Sequence, residues 1–164
     1  MTSVKLHQQR FSYSADAEPA QWSIPIVLAT GNKGSPRTHH RLLLETVDRD
    51  VDLGMTFDWI VGNANANGFY RVKLTEDLQS AITNAPGQLT ALERFSVVDD
   101  AWAAFLADQI PTTNLLSLVI ATAEAEQDTS VWKRILSILT ALDDQLKDST
   151  QQNHRDLALN CIVS

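Results

Sequence analysis

The chain has 164 residues, of which 44% are hydrophobic, and a formal net charge of −7 from 20 acidic and 13 basic residues. A chain of this length and composition can bury roughly 70% of its unfolded surface, which excludes intrinsic disorder. The acidic balance argues against a nucleic-acid partner, because neutralising phosphates requires a basic face. The most basic stretch, Lys33–Arg41, is interrupted by Gly, Ser and Pro and is interpreted as a solvated loop.

Cys161 is the only cysteine, so no disulfide can form within the chain, which suits a reducing compartment. The N-terminus lacks the charged region and long apolar run of a signal peptide. No apolar run approaches the ~20 residues needed to cross a bilayer, so we expect no membrane span. Together these features favour a cytoplasmic location.

Alternating apolar residues predict short antiparallel strands in residues 1–74, which we interpret as a β-sandwich domain. The connections are too short for the crossover helices that a parallel sheet needs. Pro25 removes a backbone donor, so its strand should lie at an edge or contain a bulge. The strand-like segments are Phe11 to Tyr13, Trp22 to Leu28, Leu42 to Leu44, Val51 to Leu53, Phe57 to Val61, and Tyr70 to Leu74.

The dipeptide Asn67-Gly68 separates the last two of these segments and is a strong hairpin signal. We expect it to form the turn, with Gly68 supplying a positive φ. Tyr70 is predicted to lie in the core with its hydroxyl satisfied, and the four tryptophans are expected to pack within the fold rather than bind a ligand.

After Thr75 the apolar period becomes that of helices, and residues 75–164 are interpreted as the start of an all-α antiparallel array of stacked helix pairs. Thr75 is placed to cap a helix from Glu76 to about Thr83. Thr90 and Glu93 form a predicted capping box, at the start of a helix whose apolar stripe contains Leu92, Phe95, Val98, Trp102 and Phe105. Further helices should begin near Thr112 and after Thr129.

A final helical pattern begins near Gln151 and carries Leu157, Cys161 and Ile162 on one side. A helical array normally ends on a polar capping element, and none follows this apolar segment, so we expect the helical domain to be truncated at its C-terminal end. The alternative is fraying at a genuine terminus.

Three motifs resemble the non-catalytic C-terminal half of zinc aminopeptidases of the aminopeptidase N and puromycin-sensitive type. Gln9-Arg10-Phe11 followed by Trp22-Ser23-Ile24-Pro25-Ile26 is similar to that family's Gln-x-Arg-Phe segment and its Trp-x-Val/Ile-Pro strand. Gly68-Phe69-Tyr70-Arg71-Val72 after Asn63 is similar to its Gly-Tyr/Phe-Tyr-Arg-Val strand. Leu92-Glu93-Arg94 with Asp99-Asp100-Ala101 resembles the start of its helical domain.

The resemblance implies a β-sandwich that spaces and positions a helical domain over a catalytic domain, in an enzyme of peptide catabolism that releases N-terminal amino acids. The implied partners are that catalytic domain, the rest of the helical domain and the peptide substrate of the parent enzyme. The implied cofactor is zinc, bound in the parent by His-Glu-x-x-His and a downstream Glu. None of His7, His39, His40 and His154 begins such a motif, so we expect no cofactor in this segment.

No residue of this chain is assigned a catalytic or metal-binding role. His39 and His40 are adjacent on a predicted strand and point to opposite faces, so they could not readily share one ion. The neighbouring carboxylates of Asp99-Asp100 and Asp143-Asp144 diverge on a helix and make no acid/base dyad. Cys161 lies on an apolar stripe without an activating base and is interpreted as a core thiol.

One member of the Asp99-Asp100 pair could instead meet Arg94 or Arg71 in a buried bridge between the sandwich and the helices. Gly68, Phe69, Tyr70, Arg71, Val72, Trp22 and Pro25 are then structural signature residues. Two alternatives to an aminopeptidase segment stay open: a free-standing, non-enzymatic module that binds a protein or peptide, and a small hydrolase with an unrecognised site.

Overall fold

The computed structural model describes residues 1–13, 18–124 and 126–147. Within these ranges strands come first and helices follow, so the chain is an α+β protein in two successive parts, as predicted. The strands are β1 (Ser3–His7), β2 (Ile24–Gly31), β3 (Thr38–Leu44), β4 (Asp48–Asp52) and β5 (Trp59–Val61). The helices are α1 (Glu76–Thr83), α2 (Ala91–Leu106), α3 (Thr112–Ala123) and α4 (Thr129–Lys147).

The strands form two antiparallel sheets. One pairs β1 with β4, and the other has the order β3-β2-β5. Apolar residues of both sheets share one core cluster, as expected when two sheets face each other. The buried members of this cluster are Val4, Ile26, Leu28, Leu44, Phe57 and Ile60.

Pro25 lies in β2, the central strand of its sheet, opposite Leu43 of β3. Strand β5 pairs only with Ala29–Gly31 of β2. At Pro25 the strand therefore has a neighbour on one side only, which satisfies the rule that a proline without a backbone donor avoids a fully paired strand.

The alternation along β2 and β5 gives the three-stranded sheet two buried faces. Ile60 points into the core between the sheets, whereas Ala29, Trp59 and Val61 belong to the second core cluster, which the helices share. This second cluster also contains Val98 of α2 together with Leu115 and other apolar residues of α3 and α4. The helices thus pack directly on the sheet.

Several strand predictions differ from the structure. Ser3–His7 forms β1 although its apolar pattern was not recognised, because only Val4 of this strand is buried. Phe11 to Tyr13 and Tyr70 to Leu74 form no strand, since neither segment has a backbone ladder within the described residues. Sequence alternation reports burial on one face and not the presence of a pairing partner.

The helix predictions agree closely. The capping box is confirmed: Thr90 Oγ1 accepts the Glu93 N–H at 3.3 Å, and the Glu93 carboxylate accepts the Thr90 N–H at 2.9 Å. Thr75 occupies the N-cap of α1 but makes no side-chain capping bond. The buried face of α2 differs from the predicted stripe, because Leu92 is 54% exposed while Glu93, Val98 and Ala101 are buried.

The predicted last helix, with Leu157, Cys161 and Ile162, lies outside the described residues, as does the expected truncation of the helical domain. None of the helices within residues 1–13, 18–124 and 126–147 is long and apolar enough to cross a membrane.

Candidate functional site: the polar contacts of helix α2

No group of three or more His, Cys, Asp or Glu residues that could hold a metal occurs in the described part of the chain. His40 contacts the Thr30 hydroxyl at 3.0 Å, across the pairing of β2 with β3. The most developed polar geometry lies instead around α2, whose carboxylates and arginine contact the sheet part and the other helices.

The segment before this junction is ordered by Asn63 rather than by a hairpin. The Asn63 side-chain amide donates to Gly68 O at 2.9 Å, and its Oδ1 accepts the Gly68 N–H at 2.8 Å. Positive φ values occur at Asn65 and Ala66, and Gly68 does not have one. The predicted Asn67-Gly68 turn is therefore wrong, since the Asn63 side chain closes this loop by binding the backbone of Gly68.

Gly68 is nevertheless constrained, because a Cβ there would overlap the ring of Tyr70. The Tyr70 ring packs against the core between the sheets and its hydroxyl donates to Gly62 O at 3.0 Å, in agreement with the prediction. Burial raises the pKa of Tyr70. Val72 lies against Gly62, where a Cβ would come within 2.7 Å of a Val72 methyl group. Phe69 points fully into solvent.

Arg71 contacts both carboxylates at the middle of α2. Its Nη1 lies 2.7 Å from Asp99 Oδ2 and 3.2 Å from Asp100 Oδ1. The Val72 N–H donates to Asp100 Oδ2 at 3.0 Å. The other oxygen of Asp99 binds Arg134 of α4 at 2.7 Å, so Asp99 joins the segment after the sheets to two helices.

Burial is the largest influence on Asp100 and raises the pKa of its carboxyl to about 6. The Val72 N–H and Arg71 act in the opposite direction, and the charge of Asp99 adds to the rise. This carboxylate is held in place by its contacts, but they do not fully offset the cost of burying its charge.

Glu93, in the first turn of α2, is completely buried. Arg37 binds its carboxylate with two hydrogen bonds, of 2.6 and 3.1 Å, and the Asn65 N–H adds a third at 2.9 Å. Burial disfavours the charged form, but the hydrogen bonds from Arg37, Asn65 and Thr90 outweigh it and hold the pKa of Glu93 below its usual value.

The pairing of Arg37 with Glu93 was not predicted from the sequence. Arg37 was assigned to a solvated loop, yet its guanidinium binds Glu93 and lies over Trp59, 5.7 Å from the ring centroid. Glu93 was recognised only as the local partner of Thr90. A glutamate at this capping position has a second oxygen that can accept further donors, which is the signal that could have indicated the longer-range contact.

Arg94 does not meet Asp99 or Asp100. Its guanidinium binds Glu126, in the connection between α3 and α4, through bonds of 2.6 and 2.7 Å, and donates to Leu89 O at 2.7 Å. The hydrogen bond from Arg94 lowers the pKa of Glu126 to about 2, against the opposing effect of burial. Of the two arginines considered for the bridge, Arg71 is the one beside the aspartates.

Trp22 is positioned through its backbone. Gln8 accepts the Trp22 N–H and donates to Trp22 O, each at 2.9 Å, and also donates to Thr46 O at 3.0 Å. The Trp22 side chain itself is 46% exposed, whereas Trp59 is buried. The expectation that all four tryptophans pack within the fold is therefore met by Trp59, whereas Trp22 and also Trp132, at 37%, are exposed.

A mainly apolar crevice lies between Val61–Asn63, Val72–Leu74 and α2, with Glu93 and Asp100 at its wall. Both carboxylates are already bound to arginines and backbone donors. The arrangement has the chemistry of a structural junction: charge pairs and backbone anchors, without a nucleophile and its activating base.

Residues 59–163 match the model of the ERAP1-like C-terminal domain. The chain is 30% identical to aminopeptidase M1 of Arabidopsis thaliana over 82% of its length, and 25% identical to aminopeptidase M1-B of Oryza sativa subsp. japonica over 98%. It is 24% identical to puromycin-sensitive aminopeptidase of Caenorhabditis elegans over 95%.

The alignments cover 17%, 20% and 17% of these three relatives, so the chain spans about a fifth of their length. The match to the family model takes in β5, the signature residues Gly68–Val72 and the four described helices, whereas Trp22 and Pro25 precede it. This chain belongs to the ERAP1-like C-terminal domain family and corresponds to a C-terminal segment of M1 aminopeptidases.

Proposed function

We propose that this chain is the accessory segment of a zinc aminopeptidase that releases N-terminal amino acids from peptides. Its task is to space and position the helical domain over the catalytic domain of the parent protein. The observation that carries the proposal is the junction at α2, where two buried carboxylates, Glu93 and Asp100, bind arginines of the sheet part and of the segment that follows it. The chain aligns with about a fifth of the length of each aminopeptidase it matches.

Two contacts make this junction suited to positioning. Glu93 ties the first turn of α2 to the loop between β2 and β3 through Arg37, and to the backbone of Asn65. Asp100 ties the third turn to Val72. Two separate anchors on one helix oppose both translation and rotation of that helix on the sheet, which is what a rigid spacer requires.

We place the boundary between a β-sandwich domain and a helical domain at residues 74 and 75. The zinc of the parent would be bound by the His-Glu-x-x-His motif that the resemblance implies, and none of the four histidines of this sequence begins such a motif. The substrate peptide and the catalytic domain would be partners of the whole parent protein, and we infer a cytoplasmic location from the resemblance to the puromycin-sensitive type.

The proposal is tested by exchange of segments. In aminopeptidase M1 of Arabidopsis thaliana, the matched segment is replaced by this chain, and a second protein has that segment deleted. Hydrolysis of an aminoacyl anilide is measured for both. We expect the chimera to keep activity and the deletion to lose it, because the helical domain is no longer held over the active site.

A chimera as inactive as the deletion would contradict the proposed function. Activity of the purified 164-residue chain alone, with zinc added, would contradict the statement that this segment lacks the catalyst. A deletion that is fully active would also overturn the positioning role.

A further inference from the structure

Asn67-Gly68 is the only Asn-Gly dipeptide of the sequence. Asparagine before glycine is the pair most prone to deamidation, in which the backbone nitrogen of the second residue attacks the side-chain amide carbon of the first. Glycine favours this attack because it has no side chain to hinder the approach. Asn67 is exposed, so water and dissolved base reach its side chain. In the unfolded chain we therefore expect Asn67 to be the asparagine that deamidates fastest.

The reaction at this dipeptide has two steps. Gly68 N forms a bond to Asn67 Cγ, the Cγ–Nδ2 bond breaks, and the proton lost by Gly68 N passes through solvent to the leaving group, which departs as ammonia. Water then adds to either carbonyl of the resulting five-membered imide. The ring opens to an aspartate or to an isoaspartate, in which the main chain runs through the former side chain. Both products carry one additional negative charge at neutral pH.

The folded loop withholds the attacking nitrogen. The Gly68 N–H donates to Asn63 Oδ1 at 2.8 Å, and the Asn63 side-chain amide donates to Gly68 O at 2.9 Å. We call these two hydrogen bonds the Asn63 clamp. Asn63 is only 6% exposed, so water competes poorly for the clamp. While Asn63 holds the Gly68 proton, base cannot remove that proton, and the nitrogen is not an effective nucleophile.

The backbone of Asn67 also opposes ring closure. Its φ of −79° and ψ of −20° are helical. The imide ring contains the Cα–C bond of Asn67, so closure requires Cβ and Gly68 N to be nearly eclipsed about that bond, and at this ψ they are not. Rotation about ψ would move Gly68, which lies so close to Tyr70 that an added Cβ would overlap the Tyr70 ring. The loop must therefore open before Asn67 can react.

We propose that Asn67 is a deamidation site and that the Asn63 clamp keeps it unreactive in the folded chain. The same loop contains the Asn65 N–H, which donates to the Glu93 carboxylate at 2.9 Å. An isoaspartate at position 67 lengthens the main chain by one carbon, so that Gly68 no longer fits the Asn63 side chain. Deamidation is thus a slow, irreversible change that loosens the loop from the first turn of α2.

The first test compares folded and unfolded states of the 164-residue chain. The protein is incubated at mildly alkaline pH in buffer and in urea, and mass spectrometry of its peptides measures the deamidation rate at Asn67. We expect the rate in the folded chain to be at least ~20-fold lower, because reaction requires local opening. Equal rates in the two states would overturn the proposal.

Variants of Asn63 test the clamp itself. Asn63→Ala removes both hydrogen bonds and should raise the rate in the folded chain at least ~10-fold, with no change in urea. Asn63→Asp keeps an acceptor for the Gly68 N–H and should react more slowly than Asn63→Ala. The matched control, Asn84→Ala, alters an exposed asparagine outside the loop and should leave the rate at Asn67 unchanged.

Circular dichroism establishes that each variant is folded during the incubation. A folded Asn63→Ala chain that deamidates as slowly as the parent would overturn the role of Asn63. If Asn63→Ala does not fold, the comparison of Asn63→Asp with the parent decides the question: we expect a rate no more than ~10-fold above that of the parent, and a rate equal to that in urea would overturn the role of the clamp.

The consequence for α2 is tested on the deamidated protein. Ion exchange separates the modified chain by its additional negative charge, and amide hydrogen exchange is then measured at Asn65 in the modified and unmodified chains. Exchange should be at least ~10-fold faster in the isoaspartate form, because the Asn65 N–H is no longer held against Glu93. Identical exchange in the two forms would overturn the link between this site and α2.

Discussion

Glu93 and Asp100 lie two turns apart on α2 and are both buried, yet burial has opposite outcomes for them. Glu93 accepts two hydrogen bonds from Arg37 and one each from the Asn65 and Thr90 N–H groups, and its pKa is lowered. Asp100 accepts one from Arg71 and one from the Val72 N–H, beside the like charge of Asp99, and its pKa is raised to about 6.

Burial raises the pKa of both carboxyls, and hydrogen-bond donors lower it, whereas the nearby charge of Asp99 adds to the rise at Asp100 only. Four donors offset the loss of water at Glu93, and two donors do not at Asp100. Glu93 therefore serves as a fixed anchor of the junction. Asp100 is an anchor whose charge costs free energy near neutral pH, so its contribution should change within the physiological range.

Removal of the Glu93 carboxylate should have the largest effect. In Glu93→Ala the half-buried guanidinium of Arg37 and the Asn65 and Thr90 N–H groups lose their acceptor, and we expect the free energy of unfolding to fall by about 3 kcal/mol. Urea unfolding measures it. The matched control is Glu124→Ala, at an exposed position, which should change stability by less than about 0.5 kcal/mol. Equal effects would remove the special role of Glu93.

Glu126 is a second carboxylate with several hydrogen-bond donors, from Arg94 and from the Gln127 and Asp128 N–H groups. Glu126→Gln should lower the free energy of unfolding at pH 7 by about 2 kcal/mol, because it removes a charged acceptor of Arg94. Because the pKa of Glu126 falls from 4.5 to about 2 on folding, the ionised carboxylate stabilises the fold at pH values above 4.5. This stability is lost as pH falls through about 2, where the variant and the parent should converge in thermal unfolding.

Substitution of Arg71 tests Asp100, the carboxylate with fewer hydrogen-bond donors. Arg71→Met leaves Asp99 with Arg134 alone and Asp100 with the Val72 N–H alone, so the free energy of unfolding should fall by about 1.5 kcal/mol at pH 7. The loss should be smaller at pH 5, where Asp100 is largely protonated. Unchanged stability at pH 7 would show that Arg71 does not bridge the sheet part and the helices.

The smallest expected effect is the pH dependence of Asp100. Its folded pKa of about 6 lies above the ordinary value of 3.8, so the folded state binds the proton more tightly. This group should add about 1 kcal/mol of stability as pH falls from 7 to 5. In Asp100→Asn, which keeps an oxygen for the Val72 N–H, that gain should be absent. A difference between the two proteins that does not vary with pH would contradict the raised pKa.

The sequence predicted the helical part well because its signals are local. Thr90 and Glu93 define the start of α2 by contacts within one turn, and the breaks before Thr112 and Thr129 lie between helices in the structure. The predicted stripe of α2 was less accurate. Leu92 was counted as core by its type, although the packing of α2 on the sheet buries Glu93 instead.

The strand part was predicted less completely because pairing is not local. Ser3–His7 became a strand through its register with Asp48–Asp52, far along the chain. The hairpin signal of Asn67-Gly68 was overridden by the Asn63 side chain, which binds both backbone groups of Gly68. The resemblance of Gly68–Val72 to aminopeptidases identified the family correctly, yet it did not reveal that the backbone of Val72 binds Asp100 of α2.

The sequence alone determined the order of strands before helices, the family and the starts of the helices. These features depend on periodicity, capping residues and short motifs, all of which involve residues close together in the chain. Only the tertiary structure decided which charges meet. Arg37 reaches Glu93 across 56 positions, and Arg71 rather than Arg94 reaches Asp100. A buried carboxylate needs hydrogen-bond donors. Donors this distant in the chain come near Glu93 and Asp100 only when α2 packs on the sheet, so the tertiary structure decides which arginine binds which carboxylate.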